Sequence, residues 1–134
     1  MNKFIVVLFV LVNMTGCAAL FMAPYDPSEN LLINKIAVKS EDMKAFCSDY
    51  TQTRHNVTSL FSQTKQLKNF SHSLPNNDLT TKMVDPLYQM VDDMHNRYKS
   101  EKDTVSKTYC ELKFQSISDS AKQIQKTIAK RPRP

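Results

Sequence analysis

An all-α fold, a small up-down bundle of three to four helices, is predicted by three observations on the 134-residue chain. Apolar residues recur three and four positions apart in every long stretch, which is helical phase. The breaks between these stretches carry proline or Asn/Asp clusters, the residues that end helices and make turns. β-branched residues are dispersed at the same helical phase, and no Asn-Gly or Asp-Gly pair signals a hairpin. At 15.4 kDa the chain makes one small domain. Its single glycine, Gly16, excludes a P-loop, a dinucleotide-binding turn and a nucleophile elbow, each of which needs glycine backbone close to a ligand or at positive φ.

The first helix is announced by Asp26-Pro27-Ser28-Glu29. Asp26 suits the N-cap, Pro27 the first helical position, and Glu29 is placed to reach back to the cap as in a capping box. Leu32, Ile33, Ile36 and Ala37 follow at helical spacing and carry the helix from Pro27 to about Lys39, where Ser40-Glu41-Asp42 can restart a new segment. The second helix carries Val57, Leu60, Phe61, Thr64, Leu67, Phe70 and Leu74 in a near-heptad seam and stops before Pro75. Pro75-Asn76-Asn77-Asp78 is the clearest turn signal in the chain. Past it Met83, Leu87, Met90, Val91, Met94 and Tyr98 line one face, with Asp85-Pro86 either kinking this helix or starting it. The last helix, Thr104 to Lys130, shows Val105, Cys110, Phe114, Ile117, Ala121, Ile124 and Ile128 and would be about 40 Å long. Pro132 and Pro134 prevent its continuation.

Ahead of this body the chain has Lys3, an apolar run from Phe4 to Val12, a polar break at Asn13 and small residues, the layout of a secretory signal. The run is shorter than the roughly 20 residues that a bilayer crossing takes. Met14-Thr15-Gly16-Cys17 resembles the lipobox of bacterial lipoproteins, with Met14 where leucine is usual. That resemblance implies a diacylglyceryl thioether on Cys17, cleavage before it and acylation of the new amine. Two acyl chains give stable anchoring at about 0.8 kcal/mol per buried methylene. Ala18, where an inner-membrane retention aspartate would stand, implies the outer membrane. Two other readings use the same residues: an uncleaved membrane helix over Phe4 to Ala23, and plain secretion with Cys17 near an ordinary cleavage site.

The resulting organisation is a signal peptide at 1–16, a lipid-anchored tether at 17–25, a helical domain at 26–130 and a basic, proline-containing tail at 131–134. With Cys17 lipidated, Cys47 and Cys110 form an even pair in an oxidising compartment, and a disulfide is the inference. It would stabilise by roughly 4 kcal/mol in the chain-entropy model. The second and last helices run parallel, so both cysteines fall at one end of the bundle. Two free thiols and a metal site are the alternatives, and neither cysteine has the close-spaced second ligand usual for zinc.

Candidate chemistry is sparse. His55, His72 and His95 are scattered. Asp92-Asp93 with His95 and Arg97 is the densest polar cluster, and its ordinary fate is a solvated face. Met83, Met90 and Met94 make either an adaptable groove or core packing. Tyr88, Tyr98 and Tyr109 straddle the core boundary and stand among acids, which disfavours stacking on nucleic acid. Asn56-Val57-Thr58 and Asn69-Phe70-Ser71 match the glycosylation sequon, a pattern that recurs by chance. After Asp119 there are Lys122, Lys126, Lys130, Arg131 and Arg133 with no acid, more positive charge than a helix C-terminus needs. These five are candidates for contact with anionic lipid or a partner.

Taken whole, the chain looks like the small outer-membrane lipoproteins of bacteria and their viruses, a resemblance carried specifically by the lipobox residues. The resemblance itself implies only the lipid on Cys17; from the residues no catalytic group, cofactor or metal is expected, and an exported chain is not expected to meet nucleic acid. The expected role is a non-enzymatic envelope protein, anchored through acylated Cys17, that binds another envelope protein or itself through its helical surface. The alternatives are a phage lysis lipoprotein of the outer-membrane spanin kind and a superinfection-exclusion factor.

Overall fold

The computed structural model describes residues 22–100 and 105–134, and these form four antiparallel helices. They are α1 (Pro27–Met43), α2 (Tyr50–Ser73), α3 (Asp78–Ser100) and α4 (Lys107–Ile128), with a short 3₁₀ turn at Lys44–Phe46 between α1 and α2. No strand occurs among the described residues. The lipobox, the signal peptide and most of the tether lie outside them, as does Thr104.

α1 begins as its sequence requires. The Asp26 side chain accepts hydrogen bonds from the backbone N–H groups of Ser28 at 2.8 Å and Glu29 at 3.0 Å, and Pro27 occupies the first turn. Replacing Asp26 with alanine leaves those donors without their acceptor and is expected to cost about 1 kcal/mol, read as a lower urea midpoint. Two expectations for α1 are corrected. Glu29 does not reach back to the cap; it points into the bundle and is fully buried. Ser40 does not restart a helix either, because its buried hydroxyl bonds the carbonyl of Ile36 at 2.7 Å and α1 runs on to Met43. A serine on the core face satisfies itself on the preceding turn more cheaply than it breaks the helix.

α2 ends at Ser73, and Leu74 after it is extended at φ −80° and ψ 133°, the backbone that a following proline favours. Asn76 then adopts φ 56°, a left-handed conformation that asparagine tolerates better than most residues. α3 starts at Asp78, and Asp85-Pro86 is interior to it, so Pro86 neither starts nor ends this helix. Ser106 caps α4 by accepting from the N–H of Tyr109 at 3.1 Å. That helix ends at Ile128, two residues short of the expected Lys130.

Each helix packs on its two neighbours around a square: α1 against α4 and α2, α3 against α2 and α4. The core holds Ile33, Ile36, Val57, Leu60, Leu67, Val84, Leu87, Val91, Met94, Phe114, Ile117, Ile124 and Ile128. Small buried hydroxyls fill the remaining places by bonding backbone carbonyls. Thr64 donates to Leu60 at 2.8 Å, and Ser118 donates across to Ala37 of α1 at 3.0 Å.

The two ends of the bundle are built differently. One collects the C-terminus of α1, the N-terminus of α2, the C-terminus of α3 and the N-terminus of α4. There Cys47 and Cys110 form a disulfide with Cα atoms 5.7 Å apart, 63 positions apart in sequence, as the parallel run of α2 and α4 predicts. Beside it the Tyr50 hydroxyl donates to the carbonyl of Tyr98 at 2.7 Å, and the two rings lie 5.5 Å apart. The Tyr98 hydroxyl has its pKa pushed up to about 12, chiefly by burial. The opposite end collects the other termini and holds the site described next.

Candidate functional site

The core stripe of each helix finishes, at this second end, in a polar residue. On α1 the stripe of Ile33, Ile36 and Ala37 reaches back to Glu29; on α2 it runs from Leu67 to Ser71; on α3 it starts at Thr80 before Val84; beyond α4 it is followed by Arg131. Since i and i+4 share a helix face, Glu29, Ser71 and Thr80 are directed inward by the same periodicity that directs the apolar residues.

These groups meet. Arg131 Nη1 donates to Glu29 Oε2 at 2.8 Å, while its Nη2 donates to Asn77 Oδ1 and Thr80 Oγ1. Glu29 Oε1 accepts from the Ser71 hydroxyl at 2.7 Å and from Asn77 Nδ2 at 2.8 Å, and Asn77 Nδ2 also reaches the carbonyl of Ser71 at 2.8 Å. Glu29 is 0% exposed and Arg131 5% exposed, so the pair is a buried ion pair with both charges hydrogen-bonded on several sides. Such satisfaction offsets the large desolvation cost of burying charge.

Arg131, expected among the exposed cations of the tail, is thus a structural residue. The chain turns after α4, with the N–H of Arg131 bonding the carbonyl of Ile128 at 3.0 Å, and this turn folds the guanidinium under the bundle. The residues around it are drawn in as well. The N–H of Tyr25 donates to the carbonyl of Pro132 at 2.8 Å, and that of Ala23 to the carbonyl of Asn76 at 3.0 Å. The incoming chain, the α2–α3 turn and the outgoing tail are therefore stitched to one another. The Arg133 guanidinium lies 5.3 Å over the Tyr25 ring. Lys122, Lys126, Lys130 and Arg133 remain exposed, as expected, and Lys122 approaches Glu41 at 3.5 Å. The Glu41 carboxyl is held below its ordinary pKa, first by its hydrogen bond with Lys44.

The other candidate residues do not assemble into a site. The Asp92-Asp93-His95-Arg97 cluster is split: Asp93 accepts from Gln89 at 2.9 Å, Arg97 lies 4.1 Å over the Tyr109 ring, and His95 stacks on Phe61 at 4.4 Å. Partial burial, with Lys99 nearby, lowers the pKa of His95. His72 pairs with Asp85 at 2.8 Å, and His55 is exposed on α2. Met94 is core, with Met83 and Met90 packed against that core. Tyr88 and Tyr109 are half-buried. Among the described residues no group of three His, Cys, Asp or Glu side chains is placed to hold a metal ion, and no helix is long and apolar enough to cross a membrane. A surface concavity of about 450 Å³ is an open groove between α1 and α2 lined by Asn34, Lys35, Val38, Lys39 and Gln63, none of them serine, cysteine or histidine.

Compared with protein-family models, curated proteins and solved structures, the chain matches none. The reading of its role therefore rests on its own residues.

Proposed function

We propose that the chain is a non-enzymatic, lipid-anchored envelope protein that acts through protein–protein contacts of its helical surface. One observation carries this reading. Cys47 and Cys110 are joined to each other, as an oxidising compartment permits, and this leaves Cys17 as the odd cysteine. Cys17 stands at the end of Met14-Thr15-Gly16-Cys17, directly after a short apolar run. An odd cysteine in an exported chain needs its own explanation, and the lipobox resemblance supplies it as a thioether to diacylglycerol. The anchor belongs in the outer membrane on the same resemblance.

Contact with a protein, either another envelope component or a second copy, is supported by the outer faces of the helices. Leu31 and Val38, two turns apart on α1, are exposed, Val38 in the groove against α2, and Leu112 is exposed on α4. Cross-linking in intact cells is expected to recover the chain in a discrete heavier complex; recovery as monomer alone contradicts contact-based action.

The anchor is tested separately. Cells supplied with labelled palmitate are expected to label the wild-type chain and not Cys17→Ser. If wild-type protein takes up no label, the anchor assignment fails.

A further inference from the structure

We propose that the Glu29 end of the bundle seats on an anionic lipid leaflet, through Met22 and Leu79 as apolar contacts and Lys82, Lys126, Lys130 and Arg133 as headgroup contacts. The proposal rests on the anchored reading above for which surface is near the membrane, while the charge and apolar exposure of that surface are independent of lipidation.

The first is where the chain enters. The stitching of Ala23 to Asn76 fixes the incoming chain at the Glu29 end. From Cys17 to Ala23 there are six residue steps, which reach at most about 20 Å when fully extended. α2, with 24 residues, is about 36 Å long. An anchor on Cys17 therefore keeps the Glu29 end within a tether's length of the headgroups, and the disulfide end is the remote one when the bundle stands upright.

The second is charge. Divide the body at the middle of each helix. The stretches 22–35, 62–89 and 118–134, which make up the Glu29 half, hold nine Lys and Arg against five Asp and Glu. The described residues of the other half, 36–61, 90–100 and 105–117, hold seven against six. Most of the net positive charge of the described body therefore lies on the half where the chain enters. The Glu29–Arg131 pair cancels internally, so the excess is carried by exposed side chains. Among the described residues Lys82, Lys126 and Lys130 have no carboxylate partner, and Arg133 rests on an aromatic ring rather than an acid. Cations placed this way are attracted to an anionic surface at about 1 kcal/mol each.

The third is apolar exposure at the same place. Leu79, in the first turn of α3, is 50% exposed and Met22 is 38% exposed. Both line one concavity, of about 210 Å³, over the buried Arg131. Apolar side chains exposed at the same end of the bundle as unpaired lysines match the headgroup boundary, where cations meet phosphate and the apolar groups meet acyl chain. An acidic protein surface would match the lysines and leave Leu79 and Met22 unexplained.

The chain contains no tryptophan, so one introduced tryptophan is an unambiguous probe. Full-length protein carrying Leu79→Trp, or Leu112→Trp on the remote half as control, is purified from bacterial membranes and reconstituted with brominated phosphatidylcholine, with or without phosphatidylglycerol. Leu112 is 63% exposed, so both substitutions sit at the surface. Expected is loss of most of the Leu79→Trp fluorescence in phosphatidylglycerol vesicles, a smaller loss without it, and no loss for Leu112→Trp. Exchanging Lys82, Lys126, Lys130 and Arg133 for glutamine should restore the Leu79→Trp signal while the protein stays with the vesicles. Met22→Trp reports on the same seat if Leu79→Trp disturbs α3. Equal quenching at both positions, or none at Leu79→Trp and Met22→Trp, overturns the proposal. Protection of Leu79→Trp in native membranes but not in lipid vesicles also overturns it, and assigns the basic end to a protein. The mass of the same preparation reports whether Cys17 is acylated. If it is not, the chain is added to vesicles from solution: quenching at Leu79→Trp then keeps the seat and removes the anchor, and absence of quenching removes both.

Discussion

Arg131→Met is expected to destabilise the protein by about 3–5 kcal/mol, the range for removing one partner of a buried ion pair. The reason is what it leaves behind. Glu29 is wholly buried, and without the guanidinium its Oε2 loses its charged partner while Asn77 Oδ1 and Thr80 Oγ1 lose a donor. The penalty belongs to the stranded carboxylate more than to the loss of attraction, and a second variant separates the two. Glu29→Leu combined with Arg131→Met removes both charges and is expected to recover most of the lost stability, since replacing a whole buried pair by apolar groups is often near neutral. Urea unfolding of the two single variants and the double variant gives the coupling. If the single variants behave like surface substitutions, the Glu29 end is not packed as described. The same variant should loosen the stitching of Ala23 and Tyr25, because the turn that carries Arg131 also carries Pro132.

Cys47→Ala with Cys110→Ala is expected to cost about 4 kcal/mol, from the loop closed across 63 positions. Domains of this size have roughly 5–15 kcal/mol in total, so the loss is a large fraction of stability. Alanine is chosen because both residues are buried and a serine hydroxyl there would need a partner. Reduction of the wild-type protein should lower the midpoint by a similar amount, and should have no effect on the double alanine variant. A wild-type midpoint indifferent to reductant would contradict the bond. With the disulfide at one end and the Glu29–Arg131 network at the other, the bundle is fastened at both ends, and the core between them is apolar apart from a few small hydroxyls.

Much of this was legible in the residues. The helices follow from spacing, and the end shared by Cys47 and Cys110 follows from counting antiparallel helices. At Ser40 and Glu29 tertiary burial takes precedence over local capping chemistry. Ser40-Glu41-Asp42 has the composition of a restart, yet Ser40 is on the face already marked by Ile36 and Ala37 and is absorbed into α1. Glu29 has the position of a capping-box partner, yet it sits four residues before Ile33 on the buried stripe. That spacing was a readable signal for burial, and burial of a carboxylate calls for a cation. Which cation it would be was not readable, because Arg131 arrives through a turn beyond α4 and 102 positions along the chain. The basic tail therefore read as a single exposed group when one of its members is the counter-ion of the core. The charge asymmetry between the two halves was hidden for a related reason: it emerges only when residues far apart in sequence are sorted by the end of the bundle they occupy.

The central claim is an α-helical module, closed by one disulfide, held to a membrane by lipid on Cys17. Intact mass spectrometry of the mature protein under non-reducing conditions tests it most directly. The account predicts a chain beginning at Cys17, heavier by a diacylglyceryl group and a further acyl chain, and lighter by the two hydrogens of the Cys47–Cys110 bond. A chain that retains Met1, or one that begins elsewhere with Cys17 unmodified, contradicts it.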